Sequence, residues 1–384
     1  MRRIDPGRRL LLRGLVAGGC SACLAPGRLF AQDAATGPAI PLTEPTGLST
    51  TRARWWKKLP DEWVECGLCA RKCKLPHEER GACGVRVNLH GEYYTLVHSR
   101  VASIHLDPIE KKPFYHVLPG TSALSLAAPG CNYECKFCQN WEIAQARPEQ
   151  VTTHPLTPAE LVALARRYEA PTIACTYTEP VVWSEYVYDI AAAAKPAGVR
   201  TLVISNGSWL EEPLKDLAPL LGAVKVDLKA FTESFYKDLC SGELKPVQET
   251  LKRLAKLGMW TEIVVLVIPG RNDAEGEIRQ LARFVRDDVG PDTPVHFTRF
   301  HPSYRLMNVP PTPIPTLERA RDAARTEGLR FVYVGNVPGH AGNHTYCPGC
   351  GAAVIRRTGM AVLENRLVKG ACPDCRRAIP GVWA

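Results

Sequence analysis

The chain has 384 residues, 48 Lys and Arg against 39 Asp and Glu, and a formal net charge of +9. Hydrophobic residues make up 45% and charged residues 23%, which excludes a disordered chain and is typical of a globular protein with one large core. Residues 1–32 account for +5 of the charge, since they hold six arginines and one acidic residue. The remaining +4 is spread over a mixed surface and does not by itself indicate nucleic-acid binding. No segment after residue 32 is long and apolar enough to span a bilayer.

Residues 1–32 show the features of a twin-arginine export signal in the expected order. The basic segment Arg8–Arg13 is followed by a weakly apolar stretch, Gly14–Ala25, and by the small residue Ala31. We therefore expect twin-arginine export of the folded protein to the periplasm. The alternative is a solvated basic leader on a cytoplasmic enzyme. The Pro-, Gly- and Thr-rich composition that follows predicts a linker over residues 33–60.

Residues 61–122 are predicted to form a cysteine-rich N-terminal extension. Four cysteines lie close together in it: Cys66, Cys69, Cys73 and Cys83. Four thiols at this spacing can fold around a metal without an apolar core of their own. The site is predicted to hold either an auxiliary iron–sulfur cluster for electron relay or a zinc ion, because both accept four thiolates. Disulfides are a third alternative, which the tight spacing disfavours. Further along, residues 93–97 and 101–105 alternate as the strands of a small sheet do.

Three further cysteines, Cys131, Cys135 and Cys138, lie within eight residues of one another. The preceding apolar run, Ala123–Gly130, predicts a buried strand that ends in Pro-Gly, so the thiols are expected on the loop at its carboxyl end. A cubane iron–sulfur cluster takes four ligands, so three close thiols leave one iron with an open position. The carboxyl ends of parallel strands are also where α/β proteins place their active sites.

Strand and helix patterns alternate from residue 123 to about residue 335, and this alternation predicts an α/β fold. Seven strands are predicted, at residues 124–128, 172–177, 201–205, 223–228, 260–268, 295–299 and 330–334. Six helices are predicted between them, at residues 158–169, 183–196, 212–221, 247–257, 275–289 and 316–327. About six βα units are too few to close an eight-stranded barrel, so we predict an open, partial (βα)6 TIM-like barrel over residues 123–340.

Residues 341–384 contain two Cys-x2-Cys pairs, Cys347 with Cys350 and Cys372 with Cys375. The pattern predicts a zinc-ribbon-like module, since four thiolates complete a structural zinc site and leave no position for catalysis. The module also carries several basic residues, so a zinc-ribbon nucleic-acid binder is an alternative function. Nucleic acid is disfavoured as a partner because no aromatic stacking platform accompanies the charge.

The spacing of Cys131, Cys135 and Cys138 resembles the signature of the radical SAM superfamily. Later motifs come in the order of pyruvate formate-lyase activating enzymes: Thr176–Pro180, Ser205–Gly207, Val226–Lys229 and Val267–Asp273. A narrower resemblance, to the AmmeMemoRadiSam system radical SAM enzymes, is carried by Asp107–Tyr115, Arg299–Pro302 and Tyr333–His340. The resemblance runs from about Trp63 to the C-terminus, and it implies the same partial barrel.

The resemblance implies a [4Fe–4S] cluster on Cys131, Cys135 and Cys138, whose open iron binds S-adenosylmethionine (SAM). It also implies that Glu179 receives the methionine amino group of SAM and that Lys229 neutralises its carboxylate. The implied SAM contacts are Glu179, Ser205, Asn206, Gly207, Asp227, Lys229, Pro269, Gly270 and His301. No catalytic residue beyond these contacts is singled out.

An enzyme of this kind reductively cleaves SAM to a 5′-deoxyadenosyl radical, which abstracts hydrogen from a substrate. The activating-enzyme-like branch implies a protein or peptide substrate and a low-potential electron donor as a partner. Memo-like proteins and AMMECR-domain proteins are further expected partners, since the family is named for their occurrence together. The alternative is a metal-stabilised scaffold or electron-transfer partner that binds SAM without cleaving it.

Overall fold

The computed structural model describes residues 47–384. The twin-arginine signal predicted for residues 1–32 and the first part of the predicted linker, residues 33–46, lie outside the described residues. Export therefore stays a prediction. Within residues 47–384, no helix combines the length and the apolar composition needed to cross a membrane.

Residues 47–102 contain seven short strands: β1 Thr51–Arg52, β2 Trp56–Lys58, β3 Val64–Cys66, β4 Lys74–Leu75, β5 Arg86–Leu89, β6 Glu92–Thr95 and β7 Arg100–Val101. Six of them form two antiparallel sheets, β1-β6-β5 and β2-β3-β4. The predicted linker of residues 33–60 is thus corrected in its described part, which contains β1 and β2. The physical reason is that Trp55 is buried there and its indole N–H donates to Asp216 at 2.8 Å.

The chain continues with nine strands: β8 Ser103–Pro108, β9 Ser122–Ala127, β10 His154–Pro155, β11 Thr172–Cys175, β12 Arg200–Ser205, β13 Leu221–Asp227, β14 Thr261–Val267, β15 Val295–Arg299 and β16 Val332–Gly335. All but β10, which pairs with β7, form one sheet in the order β16-β15-β14-β13-β12-β11-β9-β8. The strands β9 and β11–β16 are parallel, and β8 is antiparallel at one edge. The predicted α/β class and all seven predicted strands are confirmed.

One strand prediction was wrong. Residues 101–105 were expected to complete a small sheet with residues 93–97. Instead β8, which starts at Ser103, pairs with β9 in the main sheet, and β6 pairs with β5 and β1. Residues 101–105 include the end of β7 and the start of β8, and alternation does not identify the partner strand.

In the described residues eight α-helices accompany the strands: α1 Trp141–Ala144, α2 Pro158–Arg167, α3 Ser184–Ala194, α4 Glu211–Leu217, α5 Glu233–Cys240, α6 Leu244–Lys256, α7 Glu275–Phe284 and α8 Ile314–Thr326. Short 3-10 turns lie at Ile109–Lys111, Pro148–Gln150, Pro180–Trp183, Lys195–Ala197, Ala218–Leu220 and Ala341–Asn343, and a π turn at Val285–Val289 extends α7. The six predicted helices are confirmed, and α1 and α5 are additional. At the start of α2, Thr157 and Glu160 form a capping box, in which each side chain accepts a hydrogen bond from the other's backbone N–H.

The two faces of the sheet carry different side chains, because successive residues of a strand point to opposite faces. On one face Leu124, Val203 and Val265 belong to the large core that includes the helices. On the other face Ala123 and Leu202 belong to a smaller cluster that packs against residues 109–118. This second face, called the inner face below, also carries polar residues that line a cavity at the carboxyl end of the parallel strands.

The C-terminal module has three strands, β17 Thr345–Tyr346, β18 Ala353–Thr358 and β19 Ala361–Asn365, in the order β17-β18-β19. Several hydrogen bonds attach it to the segment before β9. The buried Arg357 guanidinium donates to the Tyr115 carbonyl at 2.8 Å, and Val382 N–H donates to the His116 carbonyl at 2.7 Å.

Candidate active site

Residues 131–138, called the cysteine loop below, lie between β9 and α1 at the carboxyl end of the parallel strands. Cys131, Cys135 and Cys138 all line one cavity there. A further buried thiol, Cys240 at the end of α5, interacts with the side chain of Cys135 but does not line the cavity. The tertiary structure thus presents three thiols to the cavity, as the sequence predicts.

Two backbone hydrogen bonds fix the position of the cysteine loop. Glu134 N–H donates to the Cys240 carbonyl at 3.0 Å, and Lys136 N–H donates to the Leu239 carbonyl at 2.8 Å. Both acceptors belong to the last turn of α5, where carbonyl groups have no partner within the helix. The unpredicted helix α5 is therefore a support for the cysteine loop.

The sulfur atoms of the cysteine loop are spread more widely than those of a single-ion site. Among residues 47–384, only the four C-terminal cysteines bring three or more ligand atoms within 4.8 Å of one another. In a cubane cluster each thiolate binds a different iron, so a wider spacing is required. The cysteine loop therefore fits three corners of a cubane cluster better than a mononuclear zinc site.

The cavity in front of the cysteine loop has a volume of about 420 Å³. Its wall combines apolar side chains such as Phe137 and Leu266 with converging charged groups from β13 and from the loop after β11. A cavity of this size with a few placed polar groups is typical of a small-molecule site.

Glu179, in the loop after β11, is buried in this wall with three donors on its carboxylate. Ser205 Oγ donates at 2.6 Å, Asn206 N–H at 2.7 Å and Val181 N–H at 3.1 Å. Burial raises the pKa of the Glu179 carboxyl to about 7, although the hydrogen bonds act to lower it. Ionisation of a buried carboxylate is favoured by a nearby cation, so Glu179 is suited to bind a ligand ammonium group.

Asp227, at the end of β13, lies between two lysines. Lys229 Nζ donates to one carboxylate oxygen at 3.3 Å, and Lys225 Nζ donates to the other. Burial acts to raise the pKa of the Asp227 carboxyl, but the two ammonium groups hold it below its usual value. One aspartate shared by two lysines leaves a positive charge, which suits a ligand carboxylate.

The predicted SAM contacts divide into two groups. Five of them line the cavity: Glu179, Ser205, Asn206, Asp227 and Lys229. Gly207 does not line it, and its contact with SAM stays a prediction. A Cβ at this position would lie 2.8 Å from Val226 Cγ1 and 3.0 Å from Val247 Cγ1, and φ is +76°. Glycine is thus required for close packing against β13 and α6 rather than for access by a ligand.

Pro269, Gly270 and His301 also lie off the cavity wall, and their contact with SAM stays a prediction. The loop after β14 closes on itself, because Gly270 N–H donates to Asp273 Oδ1 at 2.8 Å. His301 is exposed.

Sequence reasoning missed several residues of the site, among them Asn132 and Lys225. Asn132 accepts a 2.7 Å hydrogen bond from Asn206, and its own amide nitrogen is buried without a hydrogen-bond partner. Lys225 lines the cavity from the inner face of β13. Two features of the sequence could have identified them. Asn132 is an amide among clustered cysteines, and Lys225 is a lysine within an otherwise apolar strand.

Cys66, Cys69, Cys73 and Cys83, called the auxiliary cysteines below, line a second, small cavity together with Asn132. Burial raises the pKa of the Cys69 and Cys83 thiols to about 12. No three of these four sulfur atoms lie within 4.8 Å of one another. Their spacing thus differs from that of a single-ion site, and Asn132 lies between them and Cys131.

A buried ion pair adjoins the auxiliary cysteines. The Arg86 guanidinium donates to both carboxylate oxygens of Glu185, at 2.7 and 2.9 Å, and both side chains are 1% exposed. Arg86 Nε is buried without a hydrogen-bond partner, and Arg86 lines the small cavity. A donor is therefore available beside the cysteines for a negatively charged group.

The ribbon cysteines, Cys347, Cys350, Cys372 and Cys375, have sulfur atoms within 4.8 Å of one another and could hold a metal ion. The Cys347 and Cys375 sulfurs are 3.5 Å apart, and the Cys350 and Cys372 sulfurs are 3.7 Å apart. Tetrahedral coordination with Zn–S bonds of about 2.3 Å separates the sulfurs by roughly 3.8 Å. The geometry fits one tetrahedral ion.

A family model described as the radical SAM superfamily matches residues 126–284. An uncharacterized protein of Methanocaldococcus jannaschii is 46% identical over 305 residues, which cover 79% of this chain and 91% of that protein. A UPF0026 protein of Helicobacter pylori is 29% identical over 180 residues, which cover 42% of this chain and 56% of that protein. A solved domain of a pyruvate-formate lyase-activating enzyme from Bacteroides vulgatus gives a TM-score of 0.38 at 16% identity, covering 42% of this chain and 98% of that domain. The matched range 126–284 contains the cysteine loop, Glu179 and Lys229.

Proposed function

Because this chain belongs to the radical SAM superfamily, we propose that it is a radical SAM oxidoreductase that abstracts hydrogen from a protein or peptide. One observation carries the proposal. The cavity wall offers three thiols and a buried carboxylate, and no fourth cysteine and no histidine from residues 47–384 lines it. Three thiolates leave one iron of a [4Fe–4S] cluster available to SAM.

The cysteine loop would hold the cluster. When bound, the cluster and SAM would supply one-electron reductive chemistry at this site. Glu179 would bind the amino group of SAM and Lys229 its carboxylate, since each residue has the opposite charge to its ligand group. Phe137, which is 5% exposed and lines the cavity, would exclude water from the reacting atoms.

We further propose that residues 123–340 form a partial (βα)6 TIM-like barrel. Consecutive parallel strands are neighbours in the sheet, and the inner face carries small and polar side chains around the cavity. An inner face of this kind leaves room for a substrate beside SAM.

The auxiliary cysteines are proposed to hold a second iron–sulfur cluster rather than zinc. Their sulfur atoms are not gathered at single-ion distance, and Arg86 adds an unpartnered buried donor to the same cavity. A four-thiolate cluster carries negative charge, which Arg86 would stabilise. With Asn132 between the two cavities, this cluster would relay electrons from a low-potential donor to the cysteine loop.

For the ribbon cysteines we propose zinc in a zinc-ribbon-like module, because four thiolates at these distances match a closed tetrahedral site. Such a site supports structure and leaves no coordination position for a substrate. Memo-like and AMMECR-domain proteins are proposed as partners.

Anaerobic reconstitution with iron and sulfide tests the main proposal. Reduction in the presence of SAM is expected to release 5′-deoxyadenosine from the wild type and none from Cys135→Ala. Cys175→Ala is the matched control, because Cys175 is a buried thiol of β11 that lines neither cavity. A wild type that binds SAM but releases no 5′-deoxyadenosine would favour the scaffold alternative.

The same variant tests the nature of the auxiliary site. With two iron–sulfur clusters, Cys135→Ala is expected to retain about half of the wild-type iron. With zinc at the auxiliary cysteines, it would retain almost none. Transfer of deuterium from labelled candidate proteins into 5′-deoxyadenosine then identifies the hydrogen donor.

A further inference from the structure

A buried ion cluster on the inner face is not used by the chemistry described so far. Asp107 of β8 is 1% exposed and Lys112 is 2% exposed. Lys112 Nζ donates to Asp107 Oδ2 at 2.5 Å and to the Tyr177 hydroxyl oxygen at 2.9 Å. Lys111 Nζ donates to Asp107 Oδ1 at 2.8 Å, and the Tyr177 hydroxyl donates to Asp107. We call these four residues the Asp107 cluster.

The Asp107 cluster presents its cationic side to the cavity of the cysteine loop. Lys111, Lys112 and Tyr177 line that cavity, whereas Asp107 does not. The carboxylate therefore holds the two ammonium groups and the phenol from behind. In many binding sites a buried counter-ion of this kind fixes the orientation of the groups that contact the ligand.

Tyr177 shows that this wall is held under strain. Its φ is +67°, a left-handed conformation that a bulky residue adopts at a cost of about 1–3 kcal/mol. Contacts at both ends keep it there, since the Tyr177 carbonyl accepts a 2.9 Å hydrogen bond from Asn140 and the hydroxyl is bound in the cluster. Strain of this kind concentrates at functional sites.

Positive charge is in excess on the cavity wall. Lys111 and Lys112 share Asp107, and Lys225 and Lys229 share Asp227. Burial lowers the pKa of the Lys112 ammonium to about 8, and repulsion from Lys111 and Lys225 adds to this effect, although Asp107 opposes it. Lys112 and Lys225 are thus close enough to interact, and both line the cavity.

The SAM carboxylate and the negative charge of a cluster on three thiolates would remove only part of this excess. Under the proposed function, the carboxylate of SAM binds Lys229 and the amino group of SAM binds Glu179. The sulfonium of SAM would bring a further positive charge into the cavity that Lys112 and Lys225 line. Buried cations are costly unless an anion pairs with them, and no other carboxylate from residues 47–384 lines the cavity.

We propose that the substrate carries an anionic oxyacid group, a carboxylate or a phosphate, that binds between Lys112 and Lys225. The inference rests on the proposed function and adds the chemical class of the substrate. The anionic group would anchor the substrate on the inner face, with its reacting carbon directed towards SAM. Tyr177 and Asp107 act as positioning residues, because they orient Lys112.

Titration calorimetry on the cluster-loaded, SAM-bound protein tests this proposal with inorganic phosphate and with acetate as probes. At least one anion is expected to bind the wild type, and the better ligand indicates which oxyacid the substrate carries. Lys112→Met and Lys225→Met are each expected to weaken binding by about tenfold or more. Lys245→Met, an exposed lysine of α6, is the control and should bind as the wild type does.

Both variants leave the neighbouring aspartate with a second lysine, so the fold is expected to persist, and circular dichroism checks it. Absence of binding in the wild type, or equal binding by wild type and both variants, would overturn the inference. Release of 5′-deoxyadenosine from the same wild-type preparation reports the proposed function separately. Release without anion binding overturns only the substrate class, and no release overturns the proposed function.

Discussion

The carboxylate of Glu179 accepts a 2.7 Å hydrogen bond from the backbone N–H of Asn206. This bond joins the loops that follow β11 and β12 at the cavity wall. Because Asn206 also donates to Asn132 in the cysteine loop at 2.7 Å, the acidic group and the cysteine loop are held in one network. A change at Glu179 therefore affects both the charge and the geometry of the site.

Glu179→Gln should change the pH dependence of stability in the cluster-free, SAM-free protein. The folded-state pKa of Glu179 is raised to about 7 by burial, so its stabilising contribution is present below its ordinary pKa and is lost as pH rises through about 7. The loss amounts to about 3 kcal/mol and should be absent from Glu179→Gln. Urea unfolding of both proteins at about pH 5 and about pH 8 measures it. The same pH slope in both proteins would contradict the assigned pKa.

Lys229→Met should weaken SAM binding. Asp227 keeps Lys225 as a partner in this variant, so the main loss is the charged hydrogen-bond donor for the SAM carboxylate. Such a bond contributes about 1.5–3 kcal/mol, which corresponds to a loss of roughly 10- to 150-fold in affinity. Calorimetry on the reconstituted protein checks this, with Lys245→Met as the control. Unchanged SAM affinity would show that Lys229 does not contact SAM.

Gly130→Ala should destabilise the protein by about 3 kcal/mol. A Cβ at Gly130 would lie 2.4 Å from Val85 Cγ1 and 2.8 Å from the Cys83 carbonyl oxygen, and φ is +95°. Gly198→Ala is the matched control, because φ is +74° there but no atom lies within 4 Å of the new Cβ. The control should be destabilised only by the strain of its backbone conformation, by about 1 kcal/mol. Equal losses of stability in urea unfolding would mean that Cys83 and Val85 move to accommodate the new methyl group.

Arg86→Met should destabilise the protein by about 3–5 kcal/mol, because it leaves the Glu185 carboxylate buried without its partner. Lys215→Ala breaks a surface pair with Glu211, in which the two side chains are 62% and 53% exposed, and it should cost far less stability because water screens the pair. Chemical unfolding of the two variants gives the comparison. A small loss in Arg86→Met would show that Glu185 becomes protonated or reaches water.

Cys372→Ser should remove the metal of the C-terminal module and leave the iron content unchanged. Loss of one of four thiolates opens a structural site, so β18 and β19 are expected to lose protection from hydrogen exchange. Metal analysis and hydrogen exchange measure the two effects, and Cys135→Ala is the reciprocal control. Loss of iron together with zinc in Cys372→Ser would show that the module also supports the cysteine loop.

Several features of the site were predictable because they are local. The three thiols of the cysteine loop must come from one short segment, so their spacing alone indicated a cluster. Glu179 and Lys229 were predicted from short motifs at the ends of strands through the resemblance to the radical SAM superfamily. Helix α5 escaped prediction, although it holds the cysteine loop. Its residues between Glu233 and Cys240 cover only two turns, and so short a segment shows little helical periodicity.

The sequence by itself determined the alternation of strands and helices, the three groups of clustered cysteines and the order of the motifs. These features depend on neighbouring residues, whose spacing sets both the period of an element and the reach of a metal ligand. Only the tertiary structure decided that Lys112 and Lys225 line one cavity and that Asn132 lies between two groups of cysteines. Strand pairing brings together residues that are far apart in the chain, and the propensities of local segments do not determine which strands pair.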